Sequence, residues 1–143
     1  MLTVQKFGGS SVADAEKLRR VAGIIADARR RGADVVAVLS APGGTTDELC
    51  RCASELSQRP KERELDALLS TGELKSVALM AMLLNELGIP AVSLSGRQAG
   101  IMTDLNHGSA RIKDIRTRRI REELGQGKVV LAAGFQGIND NDD

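Results

Sequence analysis

The chain has 143 residues, 42% of them apolar, with 20 basic against 19 acidic side chains and a formal charge of +1. That length suits one domain with a single sizeable core, and the balanced charge gives no reason to expect a polyanion or an anionic membrane as partner. With two Phe and neither Tyr nor Trp, the chain lacks the aromatic platforms on which single-stranded nucleic acid stacks.

Leu2 to Phe7 is short and rich in strand formers. From Asp14 to Arg31, apolar residues recur at Leu18, Val21, Ala22, Ile25 and Ala28, the spacing of one helix face. Gly32 follows as its C-terminal stop, and the run Arg29-Arg30-Arg31 reads as a solvated helix end that complements the macrodipole. "VVAVL", Val35 to Leu39, is the continuous apolar run of a strand covered on both faces. A loop, "SAPGGTTDE", leads to a helix over Thr46 to Leu56. Cys52 falls in step there with Leu49, Ala53 and Leu56, as a small core residue would, while Cys50 points elsewhere.

Gln58 to Pro60 breaks the chain before a short helix, Glu62 to Leu69. A separate, stronger helix follows over Glu73 to Leu87, with Leu74, Val77, Ala78, Ala81 and Leu84 in register and Met80 and Met82 as packing residues. Ala91 to Leu94 is a strand, a further strand is expected near Ile112, and Arg118 to Leu124 forms a short helix. "VVLAAGF", Val129 to Phe135, is another buried strand. The closing "NDNDD", residues 139–143, has the composition of solvated disorder.

Strands alternating with helices argue for a mainly parallel sheet with helices on both faces. Ligands gather at the carboxyl ends of such strands. Gly8-Gly9, Gly43-Gly44 and Gly134 to Gly137 each follow a predicted strand, so three glycine-rich edges are expected to face one crevice.

In Lys6-Phe7-Gly8-Gly9-Ser10-Ser11, two glycines let backbone approach a ligand without Cβ obstruction. Successive amides there form an anion-binding concavity, to which the next helix adds its N-terminal dipole. Ser11 with Asp14 is a candidate cap of that helix, and Lys6 supplies a point charge for the same anion. This is neither the Walker A nor the Rossmann pattern. A purely geometric turn and a solvated lysine explain the same residues equally well.

Cys50 and Cys52 with the single His107 cannot assemble a soft-ligand zinc site, and no metal ligand set is expected. No apolar stretch approaches the roughly 20 residues of a membrane span. The N-terminus also lacks the form of a signal peptide, so a cytoplasmic location is expected.

"KFGGSSV" closely resembles the signature of aspartate kinases. "VLSAPGGTTDEL", Val38 to Leu49, "STGELKSVALMAMLL", Ser70 to Leu84, "SGRQAGIMTDLNHGSARI", Ser95 to Ile112, and "GKVVLAAGFQGI", Gly127 to Ile138, match in the family's order and spacing, so that the resemblance covers residues 3 to 138. It implies an α/β amino-acid-kinase fold, a three-layer α/β/α sandwich with a mainly parallel sheet. The activity implied is transfer of the ATP γ-phosphoryl group to the β-carboxylate of L-aspartate, the first step toward lysine, threonine and methionine. Carried over by motif, Lys6 is the catalytic residue that stabilises the transferring phosphoryl, Phe7, Gly8, Gly9 and Ser10 cradle phosphate with it, and Ser40 stands at the nucleotide side. Thr46, Asp47 and Glu48 match the loop that meets the amino acid, and Glu73 would hold its α-ammonium. Mg2+ would arrive with ATP.

Each role has a plainer rival: Glu73 as a carboxylate at a helix start, Thr46 as an N-cap, and His107, which lies with Arg97 and Arg111 in the family-like "GRQAG" and "HGSAR" segments, as a hydrogen-bonding loop residue. Family members continue past "GFQG" into a nucleotide-binding half and regulatory ACT domains. The resemblance therefore implies an incomplete amino-terminal lobe, residues 1–138, with a tail over 139–143, inactive as an isolated kinase. An apolar sheet edge at Val129 to Phe135 would then invite a homo-oligomer or a partner carboxy-terminal segment. Glutamate 5-kinase, carbamate kinase and uridylate kinase are rivals within the fold, and a non-catalytic aspartate-binding or assembly module is a rival of another class.

Overall fold

The computed structural model describes residues 1–143. Four parallel strands form its sheet: β1 (Leu2–Phe7), β2 (Asp34–Leu39), β3 (Ala91–Leu94) and β6 (Val129–Ala133). Their order is β1-β2-β6-β3. β1 pairs with β2 from Leu2↔Asp34 to Phe7↔Leu39, and β6 lies between β2 and β3. This corrects the expectation that β6 would be an open edge. All five residues of β6 are buried, and the edges are β1 and β3. The strand also stops at Ala133, since Phe135 turns into the left-handed region at φ 60°.

One face of the sheet carries the main core. α1 (Ala15–Arg30) and α3 (Glu62–Glu86) bring Val21, Ala22, Ile25, Ala28, Val77, Met80, Ala81 and Leu84 against Val35, Ala37, Leu39, Val129, Leu131 and Ala133. On the other face a thinner layer of α4 (Gly96–Ala99) and α5 (Arg118–Gly125) packs Ala99, Ile120 and Leu124 over Val36, Leu94, Val130 and Ala132. The architecture is therefore the expected α/β/α sandwich. β4 (Ile101–Thr103) and β5 (Ile112–Ile115) form a separate antiparallel pair; β5 is the strand expected near Ile112, whereas its three-residue partner β4 is too short to show a period of its own.

α3 runs unbroken for 25 residues, where two helices were expected. The break expected between Leu69 and Glu73 is absent: the Ser70 and Thr71 hydroxyls donate back to the Ala67 and Leu68 carbonyls and the helix continues through them. Joined into one helix, this stretch is, against expectation, long and apolar enough to cross a membrane by length and composition only, a test that the core helix of a sheet protein also passes. Its buried residues, all from Gly72 onward, face the sheet and the glycine loops. Its first half pairs with α2 (Thr45–Leu56), which has no buried residue. Cys52 and Leu56 of α2 are thus exposed, as is Met82 on the outer face of α3, and none is the packing residue its spacing suggested.

The ends are tied by polar contacts. Arg29, read as part of a solvated helix end, donates to the Ala33 and Gly127 carbonyls and joins α1 to the loop before β6. Residues 139–143, expected to be disordered, form a turn in which the Asn139 Oδ1 accepts from the Asn141 and Asp143 amides, and Asp143 accepts from Arg63 on α3 at 2.8 Å.

Candidate functional site

Three strand ends meet where the glycine-rich segments lie. After β1 the chain makes a single 3-10 turn, Gly9–Ser11, and after β2 it makes the loop Ser40 to Gly44. These two loops touch backbone to backbone: the Gly9 carbonyl accepts from the Gly43 amide at 2.9 Å, and the Phe7 carbonyl accepts from the Ser40 amide at 3.1 Å. A Cβ on Gly9 would stand 2.8 Å from the Ala41 carbonyl oxygen. A glycine is required here so that two loops can share one surface. The plainer reading of the glycine pair is therefore part of its explanation.

Between these loops lies a cavity of about 340 Å³, lined by Gly9, Ser40, Ala41, Pro42, Gly43, Gly44, Thr46, Glu73 and Phe135. A larger hollow of about 620 Å³ lies elsewhere, between the start of α3 and the loop 105–109. It is lined by ordinary surface side chains and touches none of the glycine loops. The smaller cavity sits at the carboxyl ends of β1, β2 and β6, as expected of ligand sites in parallel sheets. All three glycine-rich segments reach it.

Four of the residues singled out from sequence line this cavity together: Gly9, Ser40, Thr46 and Glu73. The others do not. Lys6 pairs with Val38 in the β1–β2 register, so its side chain leaves the sheet on the α4–α5 face, opposite to Phe7, whose ring packs against the main core. Only the backbone of Phe7 is available to a ligand. Gly8 and Ser10 are exposed beside the cavity, and Asp47 and Glu48 are exposed on the first turn of α2.

The local helix ends also differ from expectation. α1 begins at Ala15, capped by Asp14, whose carboxylate accepts from the Lys17 amide at 2.9 Å. That hydrogen bond holds the Asp14 carboxyl below its ordinary value. Ser11 makes no cap, and the α1 dipole is displaced from the glycine pair by the intervening 3-10 turn. The helix that does open on the cavity is α2, whose N-cap is Gly44 in the left-handed region and whose second residue is Thr46. Thr46 is thus a lining residue and not the cap.

Glu73 is the unusual group. It stands in the middle of α3, where no helix terminus stabilises a charge, and it is only 5% exposed. Its Oε1 accepts from the Ala41 amide at 3.2 Å. Burial pushes its carboxyl upward from the ordinary glutamate value, a shift that backbone hydrogen bonds only oppose in part, and no cationic side chain stands beside it. A buried carboxylate without a counter-charge is costly. At a cavity wall it is matched to a ligand that brings a positive group.

Phe135 was not anticipated. It is 86% exposed, one of only two aromatic side chains, and holds φ 60° at the cavity wall. An aromatic residue in that region of backbone space is rare and strained. Its flanking glycines, Gly134 and Gly137, were the only signal in the sequence. The remaining candidates stand away from this cavity: His107 Nδ1, in its loop, lies 3.6 Å from Asp66, the Arg111 amide donates to Asp104, and Arg97, on α4, pairs with Asp142 at 3.3 Å.

Comparison with known proteins adds to this geometry. A model of the amino acid kinase family matches residues 1–143. The chain is 52% identical over 139 residues to the aspartokinase of Geobacillus stearothermophilus, covering 97% of this chain and 34% of that protein. Against the aspartokinase of Mycolicibacterium smegmatis it is 51% identical over 138 residues, covering 96% and 33%. It thus spans about a third of the length of the curated relatives it matches. Among solved structures, aspartate kinase from Synechocystis superposes with a TM-score of 0.80 at 44% identity, over 94% of this chain and 22% of that one. Aspartokinase III of E. coli, crystallised with aspartate and ADP in its R-state, gives a TM-score of 0.84 at 21% identity over 99% and 42%, a likeness of fold.

Proposed function

This chain belongs to the amino acid kinase family, and from that premise we propose that it carries the acceptor side of an aspartate-kinase-type site. In this reading it binds L-aspartate for transfer of the ATP γ-phosphoryl group to the β-carboxylate. Glu73 carries the reading. An α-ammonium entering the cavity supplies the counter-charge that this buried carboxylate lacks, and in a site shielded from water the pair is stronger than on a surface.

The reaction asks little covalent chemistry of the protein. A carboxylate is already ionised at neutral pH and needs no general base. Its oxygen attacks the γ-phosphorus, the bond from that phosphorus to the β–γ bridging oxygen breaks, and ADP leaves with the electron pair. Positioning and charge neutralisation remain. The first turn of α2 brings a positive helix end to an anion in the cavity, and Ser40 and Thr46 offer hydroxyls. Lys6 would reach the phosphoryl group from the opposite face, over the end of β1. The chain has no grouping of acidic or imidazole side chains suited to a metal ion, so Mg2+ would be held by nucleotide oxygens and water.

A second reading is favoured by one observation: no basic side chain lines the cavity. On that basis the 143 residues alone bind the amino acid and transfer phosphate slowly or not at all. Titration calorimetry with L-aspartate, without nucleotide, tests the shared core of both readings, and binding is expected to be lost in Glu73→Gln. Incubation with ATP, Mg2+, aspartate and hydroxylamine then separates them, since abundant aspartyl hydroxamate requires the full reaction. Binding of L-glutamate in preference to L-aspartate would move the assignment to another acceptor, and no binding of either would overturn it.

A further inference from the structure

Phe135 holds a strained backbone conformation at the cavity, and such a conformation persists only where its surroundings over-determine it. The residue after it does so. Gln136 donates from Nε2 to the Ser70 carbonyl of α3 at 3.0 Å, and its Oε1 accepts from the Gly96 amide at the start of α4 at 3.2 Å. A donor meets a carbonyl and an acceptor meets an N–H, so one orientation of the amide satisfies both and the flipped one satisfies neither. The flanks of the turn are fixed as well: the Gly134 amide donates to the Leu39 carbonyl at 2.9 Å, and the Ile138 amide to the Ile101 carbonyl at 2.9 Å. Gln136 is therefore the one side chain that ties this turn to helices on both faces of the sheet. Its anchor on α3, Ser70, lies three residues before Glu73.

We propose that Gln136 is a positioning residue, whose amide splints the Gly134–Gly137 turn between α3 and α4 and so holds Phe135 at the wall of the cavity that Glu73 also lines. From this fixed backbone the Phe135 side chain stands at the same cavity as the Glu73 carboxylate and limits the size of the acceptor admitted there. This last clause rests on the acceptor-site reading given above, whereas the splint itself does not.

The test separates the two. In the ligand-free protein, φ-sensitive NMR couplings of Phe135 report its left-handed backbone directly, and hydrogen exchange of the Gly96 amide reports the contact to Gln136 Oε1. In Gln136→Leu, which loses both hydrogen bonds, the Phe135 couplings are expected to move to averaged values and the Gly96 amide to exchange about tenfold faster. Gln136→Glu keeps the acceptor for Gly96 but turns an oxygen toward the Ser70 carbonyl. It is expected to leave Gly96 protected while loosening Phe135, and it serves if the Leu variant does not fold. Signals of Phe7, packed in the main core, report an intact fold. L-Aspartate affinity is expected to weaken about tenfold in Gln136→Leu, the scale of one lost contact. Unchanged Phe135 couplings in both variants overturn the splint. A wild-type protein whose signals never respond to L-aspartate overturns the acceptor clause while leaving the splint to stand on its couplings.

Discussion

The two halves of α3 form one continuous helix and are held in different ways. From Gly72 to Leu84 the helix is seated, with Val77, Met80, Ala81 and Leu84 in the main core and Glu73 at the cavity. Before Gly72 no residue is buried. That half rests on α2 and is fastened by polar contacts: Asp66 accepts from the Gly108 amide at 2.7 Å, and Arg63 donates to Asp143 at 2.8 Å. Apolar burial supports the half that carries the site, and exposed hydrogen bonds and ion pairs, individually worth little, support the half that does not. A buried carboxylate is tolerated only where close packing already fixes the backbone around it.

The largest effect is expected from Leu84→Ala, which empties fully buried volume in the seated half and should cost about 2–5 kcal/mol in urea unfolding. Gly72 marks the seam. A Cβ there would lie 2.8 Å from the Ala41 Cβ and 3.3 Å from the Thr45 methyl, so Gly72→Ala should destabilise by about 1–3 kcal/mol despite the better helix propensity of Ala. Stabilisation by this variant would show that the Ser40 to Gly44 loop and the start of α2 yield to the added methyl and do not clamp α3 at that point.

Glu73 gives the seated half a pH signature. Because burial raises its folded value above its unfolded one, the folded chain keeps this proton to higher pH. Its contribution is present below the ordinary glutamate range and lost as pH rises through the raised folded value. Urea midpoints followed upward from acid pH should therefore decline less in Glu73→Gln than in wild type. Identical profiles would mean that the carboxyl is solvated.

Ser76 sits one turn after Glu73, fully buried, and its hydroxyl has no partner, unlike those of Ser70 and Thr71. Ser76→Ala should raise stability by about 1 kcal/mol, by relieving an unmade hydrogen bond. The smallest effect belongs to the unseated region, where Leu56 of α2 is 92% exposed. Leu56→Ala should fall within about 0.5 kcal/mol of wild type, and a loss like that of Leu84→Ala would reveal a covering surface on α2.

How far the site could be read in advance depends on the residue. Gly9, Ser40, Thr46 and Glu73 lie in quoted motifs and share one cavity, because glycine-rich loops after parallel strands must emerge on the same edge. Lys6 is separated from the glycines only by Phe7, yet its side chain leaves the sheet on the face opposite to that of Phe7, since strand residues alternate sides. Phe135 reads as the end of a buried strand and is instead 86% exposed, because nothing in "GFQG" states a backbone angle, and Gln136 is not legible because its partners, Ser70 and Gly96, are 66 and 40 residues away.

Local pattern determined the parallel strands, the buried face of α1, the positions Val77, Ala81 and Leu84 of the seated half of α3 though not the exposed Leu74, and the glycine edge, because alternation and 3.6-residue spacing act over a few neighbours. Tertiary structure alone decided that β6 is central, that α3 is one helix with two kinds of support, that no residue of the apolar stripe of α2 is buried, and that Glu73 is a buried mid-helix carboxylate. Burial and strand order depend on which distant segments arrive at a surface, and no local window of residues contains that information.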